Sequence, residues 1–526
     1  MVKISFHGGV NEIGGNKILL DDGETRIFLD FGMSFGIEND YFDQPFISPQ
    51  NYIDLSLIGA IPDVAGVYKN AGVQAMYDEK GFVGVCGELE KRSVNAFLFS
   101  HAHLDHIGYI GALRLDIPFY GSHITKRFLE LRRDISENWS NKYDLDQFRG
   151  MEDGETVRIG NAEVKHILVD HSIPGSSAFI ISIGGLNIGY TGDLRLHGRR
   201  PELTENFMRE AKNAKLDYLL CEGTRITTTG KDEDLLEKEA ESHSLLSESA
   251  VESKMKTILS ENKGLIIYDA SPADLDRMEM IVQLAKESGR KVLLDTKKSY
   301  LAQGINCDFK YYPSLWQFDS CMLFLPRKKE TELKPKDDDP SKPKRKSKDP
   351  ERELEKESLR QVWEEYPNLF IETKINGRDR FVKDIMSVFE ALPENLCMPR
   401  IVWGKQREEV ERHKDELLIY TSSGPLTMMH IGKGIAGTYV YGKAEPFSEE
   451  MEISFRKLTN WTKLFGMEIE YAHTSGHANR DDLERIIKAI APKHLIPIHT
   501  TQADLFKTMH DSVILLEGNG DELVCK

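Results

Sequence analysis

The chain has 526 residues, 40% of them hydrophobic and 29% charged. That length exceeds what one hydrophobic core serves, so a soluble globular protein of two or more domains is expected. A net charge of −17 excludes coating by nucleic acid over the whole surface but leaves room for a local basic channel, and no apolar run approaches the length that spans a bilayer, so no membrane partner is expected.

The first residues, MVKISFHGGVNEIGG, lack a basic segment followed by an apolar one, so secretion is not expected. Six cysteines (Cys86, Cys221, Cys307, Cys321, Cys397 and Cys525) are scattered and form no C-x-x-C pair. This is neither a disulfide framework nor a cysteine zinc knuckle, and a reducing cytoplasm fits it best.

In chain order, residues 26–32, 96–100, 186–190 and 217–221 are compact apolar runs bounded by Gly, Asp or Ser, as buried strands should be. The run 96–100 leads into Ser100-His101-Ala102-His103-Leu104-Asp105-His106, with three histidines and an aspartate in six consecutive positions. Imidazole and carboxylate are zinc's preferred ligands where thiolate is absent, and desolvating four such groups without a cation would be costly. Two later positions suit the same cluster. His171 lies in a turn, and Asp193 follows a strand, where its carboxylate could bridge two ions.

Past about residue 229 the character changes. Residues 264–268 read as a strand, and a helix follows with Leu275, Met278, Val282 and Ala285 on one face. Gly289 stops it before a strand at 291–295. This is a β-α-β unit and predicts parallel sheet. Residues 326–353 are charged and of low complexity, and predict a solvated flexible loop. A basic arm on RNA phosphates, centred on Lys342, Lys344, Arg345, Lys346 and Lys348, is the sharper alternative, weakened by Asp337, Asp338 and Asp339. Near the end, Leu483, Ile486, Ile487 and Ile490 share one face of a predicted helix.

These motifs resemble the metallo-β-lactamase superfamily, in its β-CASP branch of nucleic-acid-processing enzymes, and within it ribonuclease J. The resemblance implies an α/β fold: an αββα metallo-β-lactamase sandwich with an inserted α/β β-CASP domain. The expected segments are 1–228 and 446–526 for the sandwich and 229–445 for the insertion, with 326–353 the charged loop. It implies two Zn2+ ions, with Mn2+ or Mg2+ as substitutes. His101, His103 and His171 would hold one ion. Asp105, His106 and the late histidine His499 would hold the other, with Asp193 bridging. His494 is read as an ordinary surface residue. Glu222, in Leu220-Cys221-Glu222-Gly223-Thr224-Arg225, and His477, in His473-Thr474-Ser475-Gly476-His477, match two further motifs. Asp105, Glu222 and His477 are the implied catalytic residues. The glycine segment Gly8–Asn16 echoes the same family, and residues 55–91 read as an insertion.

The implied activity is hydrolysis of single-stranded RNA, 5′→3′ from the end and internally, in RNA processing or decay. A homodimer is a further expectation. His499 favours RNA, because many DNA-acting members carry valine there; a DNA-repair nuclease is the alternative. A lactonase or thioesterase would not need the inserted domain, and an inactive scaffold would have lost ligands. His473, Ser475 and Gly476, together with free N–H groups in one tight turn, are the expected cradle for the RNA 5′-phosphate.

Overall fold

Strand pairing in a computed structural model divides the chain into two units, and the first of them carries every candidate site residue. The structure describes residues 1–43, 46–49, 51–69, 75–78, 81–85, 91–135, 143–227, 245–295, 301–302, 304–305, 321–325, 400–403, 410–411, 413–444 and 449–525. The charged segment 326–353 lies outside them. By contacts, the first unit comprises Met1–Val251, Ala273–Arg277 and His473–Lys526, and the second Glu252–Pro272 and Met278–Ala472.

The first unit holds two mixed sheets. One has seven strands, in the order Glu522–Cys525, Val2–Phe6, Ile18–Asp21, Arg26–Leu29, Ala96–Leu98, Phe119–Ser122 and Phe148–Met151. Its first four strands pair antiparallel, and from Arg26–Leu29 onward the pairing is parallel. The other has six strands, in the order His494–Ile498, Tyr218–Glu222, Leu186–Tyr190, Ser177–Ile183, Ala162–Leu168 and Thr156–Ile159. Here the first three run parallel and the rest antiparallel.

Alternation along these strands sorts side chains between two layers. Ile181, Leu220 and Ile496 face inward and pack with Ile4, Ile18, Ile27 and Leu98 of the first sheet. Ile180, Leu219 and Leu495 face outward, against Phe207, Met208 and Ala211 of helix Pro201–Ala214 and against Leu483, Ile486, Ile487 and Ile490 of helix Arg480–Ile490. Helix His123–Ile135 lies on the other sheet, along its last two strands. The result is an αββα sandwich, as expected.

Helix Arg480–Ile490 shows how sequence sets an element in place. The Asn479 side chain accepts from Asp482 N at 2.9 Å and caps the first turn. Asp481 and Asp482 complement the helix dipole there. Ala491 leaves the helix in the left-handed region (φ 51°), and Pro492 cannot continue it. Each buried Leu or Ile on its inner face stabilises the packing by about 1.5–3 kcal/mol. The helix therefore anchors the turn just before it.

The second unit is built on a seven-stranded parallel sheet, in the order Arg400–Trp403, Cys321–Leu325, Lys291–Asp295, Leu417–Thr421, Leu265–Ala270, Gly437–Gly442 and Met467–Tyr471. The two strands of the predicted β-α-β unit are parallel, but Leu417–Thr421 lies between them. That partner comes from far along the chain, where local periodicity carries no signal. Among the described residues, no helix is long and apolar enough to cross a membrane.

Candidate metal centre

Strands Leu186–Tyr190, Tyr218–Glu222 and His494–Ile498 run in one direction, so their carboxyl ends share one edge of the sheet. Ligand sites in such sheets form at carboxyl ends, where the chain leaves the ladder with polar groups free to converge. Asp193, Glu222 and His499 all sit at or just past these ends. In the facing sheet, Ala96–Leu98 delivers the histidine loop and Arg26–Leu29 delivers Asp30.

Two groups of ligand atoms result. His101, His103, His171 and Asp193 form one, and Asp105, His106, Asp193 and His499 the other, with the atoms of each group within 4.8 Å of one another. In the first, His103 Nδ1 lies 3.0 Å from His101 Nε2 and 3.1 Å from His171 Nε2. Asp193 Oδ2 is 3.7 Å from His101 Nε2 and 3.8 Å from His171 Nε2. A tetrahedron with zinc–nitrogen bonds of 2.0–2.1 Å has edges of roughly 3.3–3.4 Å, close to these separations. In the second, His106 Nε2 is 3.2 Å from His499 Nε2 and 3.1 Å from Asp193 Oδ2, and Asp105 Oδ2 is 3.3 Å from His499 Nε2.

Asp193 belongs to both groups. It is 1% exposed, and neither of its carboxylate oxygens has a hydrogen-bond partner of good geometry. A buried carboxylate with no well-made hydrogen bond, 3.1–3.9 Å from the rings of His101, His106, His171, His477 and His499, suits a cation among them. His101, His103, His171 and the two carboxylates are in the right state for one, and His106 would release its proton on binding it. Burial drives the His103 ring down to about 4 and holds His101 and His171 well below the usual histidine range. Burial opposes ionisation of Asp105 and Asp193, but His106 and its neighbours hold both carboxyls below the usual carboxylate range. Burial would also lower His106, yet the surrounding carboxylates Asp193, Asp105 and Asp30 hold it above.

The outward-facing ring nitrogens are fixed by partners that the sequence did not reveal. His106 Nδ1 donates to Asp30 Oδ2 at 2.7 Å. Asp30 also accepts from Ser100 N (2.7 Å), Ser100 Oγ (2.6 Å) and the Tyr190 hydroxyl (2.5 Å). His171 Nδ1 donates to Gly476 O at 2.6 Å, and His499 Nδ1 pairs with Thr224 Oγ1 at 2.8 Å. Such partners fix tautomer and ring orientation. Asp30 and His499 both hold positive φ, 54° and 55°, a conformation costly outside glycine. The only sequence signal for Asp30 was an acid closing an apolar strand.

The glycine segment wraps this centre. A Cβ at Gly14 would meet Asp105 Cβ at 2.7 Å, and one at Gly32 would meet Asp105 O at 1.6 Å. Buried Lys17 secures the approach by donating to Gly15 O and Gly32 O at 2.8 and 2.9 Å. Gly9 O accepts from His499 N at 2.7 Å.

Beside the ligands, His477 Nδ1 sits 3.4 Å from Glu222 Oε2 and 3.6 Å from Asp193 Oδ2. Desolvation opposes its charge, but Glu222 and Asp193 outweigh it and push the ring up to about 9. Glu222 is itself held by Leu194 N (3.3 Å) and Thr224 N (3.0 Å). His473, Ser475 and Gly476 lie on the turn before His477. Just past these residues two backbone N–H groups are already in use. His477 N donates to Ser475 Oγ at 3.1 Å and Ala478 N to Leu194 O at 2.7 Å. His494 is not an ordinary surface residue: it is half-buried, bonded to Ser512 Oγ at 2.7 Å and stacked on Tyr218 at 5.0 Å.

Residues 88–234 match the family model of the metallo-beta-lactamase superfamily. Residues 466–506 match that of the Zn-dependent metallo-hydrolase RNA specificity domain. Ribonuclease J 2 of Streptococcus pyogenes is 24% identical over 296 residues, covering 56% of this chain and 45% of that protein. Ribonuclease J of Helicobacter pylori is 26% identical over 297 residues, covering 55% and 36%. Ribonuclease J of Pyrococcus abyssi is 24% identical over 302 residues, covering 56% and 58%. The chain thus spans about half the length of the curated relatives it matches. A crystal structure of a protein of unknown function from Enterococcus faecalis V583 superposes over 100% of both chains, with a TM-score of 0.67 at 20% identity. The resemblance to the metallo-β-lactamase superfamily and to ribonuclease J is borne out, and with it a divalent-metal centre.

Because Asp193 serves both groups, Asp193→Ala is expected to hold less metal per chain than the unmutated protein and to lose its activity. Elemental analysis after dialysis measures the first. Full metal content and full activity in the variant would contradict a shared carboxylate.

Proposed function

We propose that this chain is a zinc-dependent phosphodiesterase that hydrolyses single-stranded RNA, chiefly as a 5′→3′ exonuclease. The observation that carries this reading is the pair of ligand groups sharing Asp193, set beside a histidine that two carboxylates keep charged. His101, His103 and His171 hold one Zn2+, and Asp105, His106 and His499 the other, with Mn2+ or Mg2+ as substitutes. When bound, such a pair supplies an acidified water and positive charge facing the phosphoryl oxygens.

The protein's own groups do the rest. His477 donates a proton to the departing ribose 3′-oxygen, a poor leaving group without one. Glu222 orients that ring and keeps it protonated. Asp30, Thr224 and the Gly476 carbonyl hold His106, His499 and His171 in register. The matches to an RNA specificity domain and to ribonucleases J support RNA over DNA. His473, with Ser475 and Gly476, receives the 5′-phosphate of the RNA and sets the cut one nucleotide in.

His477→Ala is expected to retain its metal and cleave RNA more slowly, by about the 10²–10⁴-fold typical of a lost general acid. Loss of zinc in step with activity would make His477 a ligand instead. RNA with a 5′-monophosphate should be degraded faster than the same RNA with a 5′-hydroxyl or 5′-triphosphate, and His473→Ala should erase that preference. Equal rates on all three ends would point to internal cleavage, and faster cleavage of a matched DNA strand would overturn the RNA assignment.

A further inference from the structure

Two arginines lie buried beneath the turn that carries His477. Arg195 and Arg277 are 0% and 1% exposed, among the largest fully buried side chains described. Arg195 follows Asp193 by two positions. Its Nη1 donates to Ser475 O at 3.1 Å and to Glu248 Oε1 at 3.0 Å. Its Nη2 reaches His171 O at 3.5 Å and its Nε Asp170 Oδ1 at 3.3 Å. Arg277 Nη2 donates to Thr474 O at 3.1 Å, and Nη1 to the His473 ring Nδ1 at 3.0 Å. Its Nε and Nη2 both engage Glu248, the former at 3.1 Å.

The two guanidiniums therefore hold the His473 ring and the carbonyls of Thr474 and Ser475, joined through one carboxylate. Burying two such cations is costly unless each is paired and its donors are used. Glu248, Asp170 and Asp274 supply the pairing, and burial does not stop the arginines from holding the Glu248 carboxyl well below the usual range. A packed fold has no need of two buried arginines on one short turn. A turn whose histidine must be aimed does, because a planar fork with several donors fixes direction as well as distance.

We propose that Arg195 and Arg277, bridged by Glu248, are positioning residues that aim His477 at the leaving oxygen. This rests on the reading of His477 as the proton donor. Arg277 is the cleaner probe, since it holds the turn at His473 and Thr474 whereas Arg195 also reaches the His171 carbonyl, and Glu248 keeps Arg195 as its partner when Arg277 is replaced.

The test compares RNA bearing a 5′-hydroxyl, in which the proposed phosphate contact of His473 plays no part, with bis(p-nitrophenyl) phosphate, whose leaving group departs without protonation. Purified Arg277→Met, Arg277→Lys and His477→Ala are assayed on both, with metal content and melting temperature measured alongside. Misaiming the donor by about an ångström should cost Arg277→Met about 10- to 100-fold in kcat on RNA, with KM little changed and a much smaller loss on the aryl ester. Arg277→Lys keeps the charge but not the fork, so it should show the same skew to a smaller degree, and it carries the test if Arg277→Met does not fold. If His477→Ala shows the skew and both Arg277 variants lose equally on the two substrates, or lose nothing, positioning is overturned and the donor reading stands. If His477→Ala itself loses equally on both, the donor reading falls and the positioning role with it.

Discussion

A single carboxylate organises this protein. Asp193 is buried, makes no hydrogen bond of good geometry, and is shared by two clusters of imidazole and carboxylate donors. Left to itself, that arrangement is costly, because a desolvated carboxylate without a well-made hydrogen bond loses part of the compensation for its burial. With two cations it would become the bridge that, as proposed, sets them side by side. The fold then has to bring ligands from both sheets to one point and stop them relaxing.

It does so by using strand direction. Parallel pairing puts the carboxyl ends of three strands at one edge, so Asp193 and Glu222 emerge together with His499, which lies 277 residues beyond Glu222 in the chain. The facing sheet brings His101, His103, Asp105 and His106 on one loop. Glycines at 14 and 32 let the backbone close on Asp105 where any side chain would collide. Behind the ligands, Asp30, Thr224 and the Gly476 carbonyl hold the other nitrogen of three histidines. The cost in backbone strain falls at Asp30 and His499, where packing on all sides can sustain it.

The sequence was most informative where chemistry is packed into short motifs. The loop 100–106 declares itself because four donors in six positions have few other uses, and helix 480–490 because its apolar spacing is regular. What stayed hidden depends on distant partners. Asp30 reads as a strand end until His106, 76 residues later, lies against it. Arg195 and Arg277 look like surface cations, and their burial appears only once Glu248 and the 473–475 turn close over them, 196 residues beyond Arg277 in the case of His473. His494 looked idle because Ser512 and Tyr218 cannot be placed by spacing alone. The strand at Leu417–Thr421 slips between the two halves of a β-α-β unit for the same reason: periodicity tells that a strand exists, not which strand it will neighbour.

The central claim is that Asp193 joins two ions in one centre. Anomalous diffraction at the zinc edge, from crystals of the zinc-loaded protein, tests it most directly. The account predicts two peaks, one among His101, His103 and His171 and one among Asp105, His106 and His499, each in contact with Asp193. A single peak, or two peaks of which one is not bound by Asp193, would contradict it.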